Sequence, residues 1–375
     1  MWQHGVIAGI AAALFVLAGG WPLWAAAATP EELWQSYLDA AVEANVSDDF
    51  TSAEALLKAA DDVARQRDAN GPRAALTRLV LDFVEVELEK RPPEDIISRQ
   101  GLAPDLAGAE TALLPAADSF ARLANNYYHR WEDLDPDRDS AAERAKAKLR
   151  LREAEICRLV ALAMQKKLLL AGDVAIASTM ALYGVVLSDE DRLDEAKENY
   201  RAALDIWAAA DRKNAQLMEG SRRFSLNQGR TAGDAKGGND PLLVKFFLAQ
   251  ADMTTGYQLR NEKKVLEAAR DFKEAEEALL EVIAIYDKDW PDRLATGYRY
   301  YQLARLYSWQ EGRLRDAEDK FRRALAIYEA VEGKTSDDVA TIVERLAAVL
   351  RQEQDEDRAR ALETAYGVKP PASGK

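Results

Sequence analysis

The chain has 375 residues and an excess of acidic side chains, 64 Asp and Glu against 50 Lys and Arg, which gives a net charge of −14. This charge repels nucleic-acid phosphates and anionic lipid headgroups, so it argues against binding to either and favours basic partners. The single cysteine, Cys157, excludes an intrachain disulfide. The fold must therefore be held by packing, and we expect Cys157 to be a buried, unreactive thiol.

The N-terminal residues have the composition of an export signal. Residues 1–28 contain no Asp, Glu, Lys or Arg, and their apolar run from Val6 to Leu17 is followed by Gly19, Gly20, Pro22 and three alanines, Ala26–Ala28. This order predicts cleavage near Thr29 and a periplasmic or secreted protein without membrane contact. Alternatively, residues 5–28 remain attached, because they are long enough to cross a bilayer and would anchor the chain to the inner membrane.

From residue 29 onward, apolar residues recur at helical spacing, and no alternating strand pattern is longer than a few residues. The predicted fold is therefore all-α. The N-terminal part, 29–90, contains predicted helices at 33–44, 50–67 and 72–90. We expect Ser47 or Asp48 to cap the second helix, and Asn70–Pro72 to end it and begin the third.

Residues 91–170 have a weaker helical pattern and form a divergent region. We predict a connection with one short helix over 91–115, and then helices at 116–131 and 140–170. The repeat-like pattern returns in the unit 171–213. A polar, glycine-rich segment at 214–241 contains no apolar period, which predicts a flexible loop.

The C-terminal array, 242–366, is followed by a short tail at 367–375 that we expect to be disordered, since Pro370 and Pro371 cannot continue a helix. Within the array, the predicted helices are 242–259, 264–288, 293–309, 314–332, 336–352 and 356–366. Gly312 and Gly333 stand at helix ends, where a left-handed residue is needed.

A repeat of 42 residues is visible in this array, because Ala275, Ala317 and Ala359 are 42 positions apart. The same offset relates Leu279 and Ile283 to two further apolar residues, Phe321 and Leu325. Such a unit buries its apolar face only by stacking on its neighbours. Glu363 holds the next apolar position, which predicts a solvent-facing terminal repeat.

The segment from Leu303 to Tyr328 resembles the tetratricopeptide repeat (TPR) superfamily, in the 42-residue subtype of kinesin light chains. It contains Leu-Ala-x-x-Tyr, a turn glycine and Ala-x-x-x-Phe-x-x-Ala-Leu-x-Ile. Residues 174–210 and 242–366 match this family, and residues 50–67 match it more weakly. The resemblance implies a right-handed superhelical solenoid of antiparallel helix hairpins. It also implies a concave groove for a partner peptide, lined by the first helix of each hairpin, and no enzymatic chemistry.

By analogy with this family, the groove positions are Tyr298, Tyr301, Gln302, Arg305, Glu344 and Arg345. Many family members carry paired asparagines where this chain has Tyr301–Gln302 and Glu344–Arg345, so the usual ligand clamp does not carry over. Three other aromatic residues, Trp207, Tyr300 and Tyr328, are expected in the core.

No motif predicts a metal, a cofactor or a catalytic residue. The carboxylates from Asp133 to Asp139 have calcium-loop spacing, but Arg138 and Arg144 occupy the positions of the required Gly and Glu. The glycine-rich residues 229–238 lack the Gly-Lys-Ser/Thr order of a phosphate loop. Because His129 is the only histidine after the N-terminal segment, sites that need two imidazoles are excluded there.

These observations favour a non-enzymatic scaffold that binds a protein or peptide partner in the cell envelope or the secreted space. One alternative is an accessory or catalytic subunit with a carboxylate pocket in 91–170. A second is a structural subunit that assembles with copies of itself. The partner and the oligomeric state stay open at this point.

Overall fold

A computed structural model of the chain describes residues 28–99, 111–133, 141–217 and 240–369, with the backbone alone for 111 and 212–217. These ranges contain fourteen α-helices, one 3₁₀ turn and no strand, so the prediction of an all-α fold is confirmed. None of their helices is long and apolar enough to span a bilayer. The predicted signal segment, the acidic turn after Asp133, most of the glycine-rich loop and the proline tail lie outside the described residues.

The chain divides into two compact units, and the first contains the described residues up to Asp191 together with Ile206–Lys213. A 3₁₀ turn, Thr111–Leu113, precedes the fifth helix of this unit. Its helices are α1 (Pro30–Val46), α2 (Phe50–Arg67), α3 (Pro72–Glu87), α4 (Glu94–Ile97), α5 (Leu114–Glu132), α6 (Ala141–Leu168) and α7 (Val174–Asp189).

The second unit contains Arg192–Asp205 and the described residues from Asn214 onward. The helix α8 (Leu193–Leu217) continues beyond residue 213, where the sequence predicted a loop. The remaining helices are α9 (Pro241–Asn261), α10 (Val265–Asp289), α11 (Leu294–Ser308), α12 (Leu314–Glu332), α13 (Asp337–Gln352) and α14 (Glu356–Tyr366).

The core of the first unit is built from hairpins. The helix α1 packs on α2, α2 on α3, and α5 on α6, and α1 also contacts α5. Phe83 and Tyr127 meet edge to face in this core, with ring centroids 5.8 Å apart. Cys157 is fully buried as predicted, and burial raises the pKa of its thiol well above the usual value.

The cap of α2 differs from the prediction. Asp49, rather than Ser47 or Asp48, accepts a hydrogen bond from the backbone N–H of Ser52 at 3.1 Å. Asp48 instead takes a left-handed conformation with φ of 62°, which turns the chain after α1. The prediction was wrong because Asp and Ser are all good caps, and the local sequence alone does not determine which one precedes the helix.

In the second unit, α9–α10, α11–α12 and α13–α14 form three hairpins, and α10 packs on α11 and α12 on α13. Successive hairpins therefore stack in chain order, as the repeat predicts. Gly312 and Gly333 have φ of 77° and 85°, which confirms their predicted positive φ at helix ends. Tyr300 and Tyr328 are buried at 8% exposure, which confirms their predicted place in the core.

The repeat register differs from the sequence period at α10. Ala317 and Ala359 each stand three residues after the first residue of their helix, and in α10 this position is held by Ala268 rather than Ala275. Seven residues make about two helical turns, so Ala268 and Ala275 both lie on the buried face. The alignment of Ala275 with Ala317 was therefore wrong by two helical turns, because Ala268 holds the equivalent position.

Glu363 does not face solvent as the sequence predicted. Its side chain is 3% exposed, and its Oε2 accepts a hydrogen bond from Arg351 Nη2 at 2.7 Å. This bond raises the pKa of Arg351 above its ordinary value. The terminal repeat therefore keeps its buried position and fills it with an ion pair, since a buried carboxylate requires a partner.

Candidate partner-binding site

The helices α9 and α11 are the first helices of their hairpins, and they present a run of contacting rings. Tyr298 and Tyr301 lie one turn apart on α11, and their rings stack with centroids 6.3 Å apart and planes 18° from parallel. The edge of Phe246 on α9 meets Tyr298 at 5.7 Å. At the other end, Trp309 packs against Tyr257 of α9 at 4.7 Å. The rings thus connect two neighbouring hairpins.

Arg305 lies in the middle of this run. Its guanidinium group is 5.9 Å from the Tyr301 ring centroid and 5.0 Å from that of Trp309. Its Nη1 also donates a hydrogen bond to Gln302 Oε1 at 3.0 Å. Two ring contacts and one hydrogen bond hold the cation in one orientation. We call the set Tyr257, Tyr298, Tyr301, Arg305 and Trp309 the aromatic strip.

The aromatic strip is accessible to a partner. Tyr257 and Tyr298 are each 37% exposed. Tyr301, Arg305 and Trp309 are half-buried, so each keeps part of its surface open. Because aromatic and arginine side chains are enriched where proteins bind each other, this strip is the strongest candidate interaction surface that the described residues offer.

Glycines beside two of the tyrosines help to place them. A Cβ on Gly256 would lie 2.7 Å from the Phe272 ring of α10, and a Cβ on Gly297 would lie 2.9 Å from the Tyr328 ring of α12. Only glycine permits such a close approach of the helices within each hairpin. The following residues, Tyr257 and Tyr298, lie outside these close contacts and are each 37% exposed.

The strip has a local charge that differs from that of the whole chain. Arg260 lies 5.4 Å from the Tyr257 ring centroid and donates a hydrogen bond to the carbonyl of Trp309. The strip itself contains one cation, Arg305, and no carboxylate. The neighbouring Gln250 is neutral and donates a hydrogen bond to the Tyr298 hydroxyl at 3.2 Å. The strip and these two neighbours therefore contain two cations and no carboxylate, within a chain of net charge −14.

The structure brings three of the six predicted groove residues together in the strip, namely Tyr298, Tyr301 and Arg305. Gln302 is 3% exposed and lies beneath them, where it supports Arg305. Glu344 and Arg345 are exposed on α13, the first helix of the next hairpin. They would extend the surface toward the C-terminus.

Sequence reasoning missed Tyr257 and Trp309. In the corrected register, Gly256 precedes Ala268 by 12 residues, much as Ala304 precedes Ala317 by 13. Tyr257 therefore occupies the position that Arg305 holds in the next hairpin. This signal was present in the sequence but hidden by the alignment through Ala275. Trp309 lies at the end of α11, and only the packing between hairpins places its ring on Tyr257.

A buried charged cluster in the first unit bears on the alternative of a carboxylate pocket in 91–170. Glu153 is 0% exposed and accepts a hydrogen bond from Arg150 at 2.9 Å. Burial raises the pKa of Glu153 to about 8, although the charge of Arg150 opposes this rise. A carboxyl group without exposed surface does not meet a substrate in this conformation. Among the described residues, no group of three metal-binding side chains occurs.

The chain is similar to solved structures of TPR-like repeat proteins. One is a Podosopora anserina protein described as a kinesin light chain with nearly identical TPR-like repeats. Its sequence is 16% identical to this chain, and its TM-score is 0.46, with 68% of this chain and 94% of that one covered. BtubC (BKLC) from P. vanneervenii is 18% identical, with a TM-score of 0.42 over 80% of this chain and 93% of that one. Comparison with family models and with curated proteins gives no match.

Proposed function

We propose that the protein is a non-enzymatic interaction scaffold, and that its aromatic strip binds a peptide segment of another protein. The observation that carries this proposal is the exposed ring surface of Tyr257 and Tyr298, continuous with a guanidinium group fixed between Tyr301 and Trp309. The rings and the cation are already ordered by contacts with each other. Binding therefore loses little side-chain entropy, which favours affinity.

The local charge indicates which partners fit the strip. Arg305 of α11 and Arg260 of α9 lie at the surface, and the strip contains no carboxylate. A neutral or acidic segment is therefore complementary, and a basic one is not. The net charge of the whole chain pointed to basic partners. Whole-chain charge mainly changes the encounter rate, whereas the charges at the contact decide which complex is stable.

The test is a binding measurement on the doubly substituted variant Tyr301→Ala/Arg305→Ala. Crosslinking in the native cell envelope identifies the partner, and titration calorimetry with its bound segment then measures Kd. We expect the double variant to bind at least about tenfold more weakly, a loss of about 1.4 kcal/mol or more, since hot-spot residues are removed.

The matched control is Val331→Ala on α12, which removes an aliphatic side chain that is 52% exposed and outside the strip. Its Kd should equal that of the unchanged protein, and circular dichroism should show full helicity for both variants. Unchanged affinity of the double variant at full helicity would show that the partner binds elsewhere.

We also propose that the scaffold is exported. The uncharged, apolar residues 1–28 with small residues at their end support this proposal. Mass spectrometry of the protein isolated from its native cells should find an N-terminus near Thr29 in the soluble envelope fraction. An intact N-terminus in the membrane fraction would instead support the anchored alternative, and a cytoplasmic chain that begins at Met1 would contradict export.

A further inference from the structure

Two carboxyl groups share one arginine inside the first unit. Arg150 of α6 donates from Nη1 to Glu87 Oε1 of α3, and the same nitrogen lies 2.9 Å from Glu153 Oε2. The side chains of Arg150, Glu87 and Glu153 are 4%, 11% and 0% exposed. One buried positive charge therefore faces two groups that would each be negative in water at neutral pH.

The surrounding helices do not supply a second cation in contact with Glu153 among the described residues. The charge of Arg130 on α5 also acts on Glu153, but Arg130 forms its ion pair with Asp48 and donates to the carbonyl of Asn45 at 2.6 Å. The Tyr127 hydroxyl accepts from Asn45 Nδ2 at 3.1 Å. Cys157, one turn further along α6, is buried and neutral, since burial raises the pKa of its thiol.

The two other helices that pack on α6 also direct their titratable groups elsewhere. Asp95 of α4 lies 3.5 Å from Arg91. Tyr183 of α7 donates to Glu155 Oε1 at 3.5 Å. Glu153 thus shares the positive charge of Arg150 with Glu87.

We infer that Glu153 is a neutral carboxylic acid in the folded protein, whereas Arg150 forms its ion pair with Glu87. The geometry distinguishes the two groups. Glu153 has no exposed surface, and its Oε1 lacks a hydrogen-bond partner. An unpaired oxygen costs much more free energy on a buried carboxylate than on a neutral acid. Glu87 reaches the edge of the core and contacts the guanidinium directly.

This arrangement makes the first unit sensitive to alkaline pH. Burial raises the pKa of Glu153 from 4.5 to about 8, so the folded chain holds a proton that the unfolded chain releases near pH 4.5. The stabilising contribution is complete below that lower value and is lost as the pH rises through about 8. Above it, a second buried negative charge would repel Glu87 and weaken the ion pair by which Arg150 of α6 contacts α3.

The test compares two substitutions of the same size. Glu153→Gln preserves a neutral side chain, so we expect an unfolding midpoint equal to that of the unchanged protein at about pH 4, where Glu153 is protonated in both the folded and the unfolded chain, and an increasingly higher one up to about pH 9. Glu87→Gln removes the ion-pair partner of Arg150, so we expect a midpoint below that of the unchanged protein at about pH 6. Hydrogen exchange of the α6 amides reports the change in this unit specifically.

Infrared spectroscopy of the folded chain provides a readout that does not depend on how a variant folds. A protonated-carboxyl band should be present at neutral pH and decrease on titration through about pH 8, and this decrease should be absent from Glu153→Gln. Absence of the band from the unchanged protein at neutral pH would overturn the inference. So would Glu153→Gln being as unstable at about pH 6 as Glu87→Gln.

Discussion

Single residues in the second unit differ sharply in how much they contribute to stability. Phe321 is 1% exposed and packs edge to face against Tyr301 at 5.7 Å, whereas Leu266 is 89% exposed near the start of α10. Both are large apolar residues on a second helix of a hairpin. Burial, rather than residue type, decides which one the fold depends on.

We therefore predict that Phe321→Ala lowers the free energy of unfolding by about 3 to 5 kcal/mol, because it removes buried area and leaves a cavity between α11 and α12. Leu266→Ala should change it by less than about 0.5 kcal/mol. Denaturant titrations of both variants measure the difference. Equal effects of the two substitutions would contradict the observed packing.

Phe321→Ala also tests whether partner binding depends on the buried ring that supports Tyr301, and not only on direct contact with the aromatic strip. Tyr301 loses its neighbour in this variant, although the strip itself is unchanged in sequence. Comparison with Tyr301→Ala/Arg305→Ala at the same helicity then shows whether the partner needs the rings themselves or only their ordered arrangement.

At the scale of the helix, the glycines next to the strip determine how closely the hairpin helices approach. A Cβ at position 297 would clash with the Tyr328 and Ile327 side chains at 2.9 and 3.1 Å. A Cβ at Gly172 would meet nothing within 4 Å. Gly297 is therefore a crowded position, and Gly172 is an open position that serves as its control.

Gly297→Ala should destabilise the second unit by about 1 to 3 kcal/mol, since α11 must shift away from α12 to admit the methyl group. Gly172→Ala should be neutral or slightly stabilising, because it only restricts the unfolded chain. Thermal unfolding followed by circular dichroism distinguishes the two. A neutral Gly297→Ala would show that α11 and α12 are not packed this closely.

Most helices could be predicted from apolar periodicity and breakers, and the bounds of α2, α12 and α14 agree with the sequence prediction. The register was harder, because Ala268 and Ala275 are separated by two full turns and satisfy the same pattern. Periodicity fixes the buried face of a helix but does not fix its position along the axis. The hairpin turn, which decides between them, depends on contacts between helices.

The candidate site was predictable only in part for a related reason. Tyr298, Tyr301 and Arg305 follow from their positions on one helix, and family resemblance was sufficient to select them. Trp309 joins them through contacts with Tyr257 and Phe272 of the previous hairpin, at 4.7 and 6.4 Å. A local pattern does not show which side chains of different repeats meet. Buried polar residues such as Glu363 and Glu153 were missed for the same reason.

At the scale of the whole molecule, each unit contains a feature that its helical packing does not require. The first contains the buried, neutral Glu153 beside Arg150, which links stability to pH. The second contains the aromatic strip, which leaves rings and a cation at the surface. Natural proteins often depart from the simplest packing where they function. The strip is the feature that faces solvent, and recognition is assigned to it.

Site-specific photocrosslinking tests this assignment most directly. A photoreactive phenylalanine analogue is placed at Tyr298 in the strip or, as a control, at Leu280, which is 44% exposed on α10. In native cells, we predict a discrete crosslinked partner from position 298 and none from position 280. Crosslinking from position 280 with none from position 298, in a chain of full helicity, would contradict recognition by the aromatic strip.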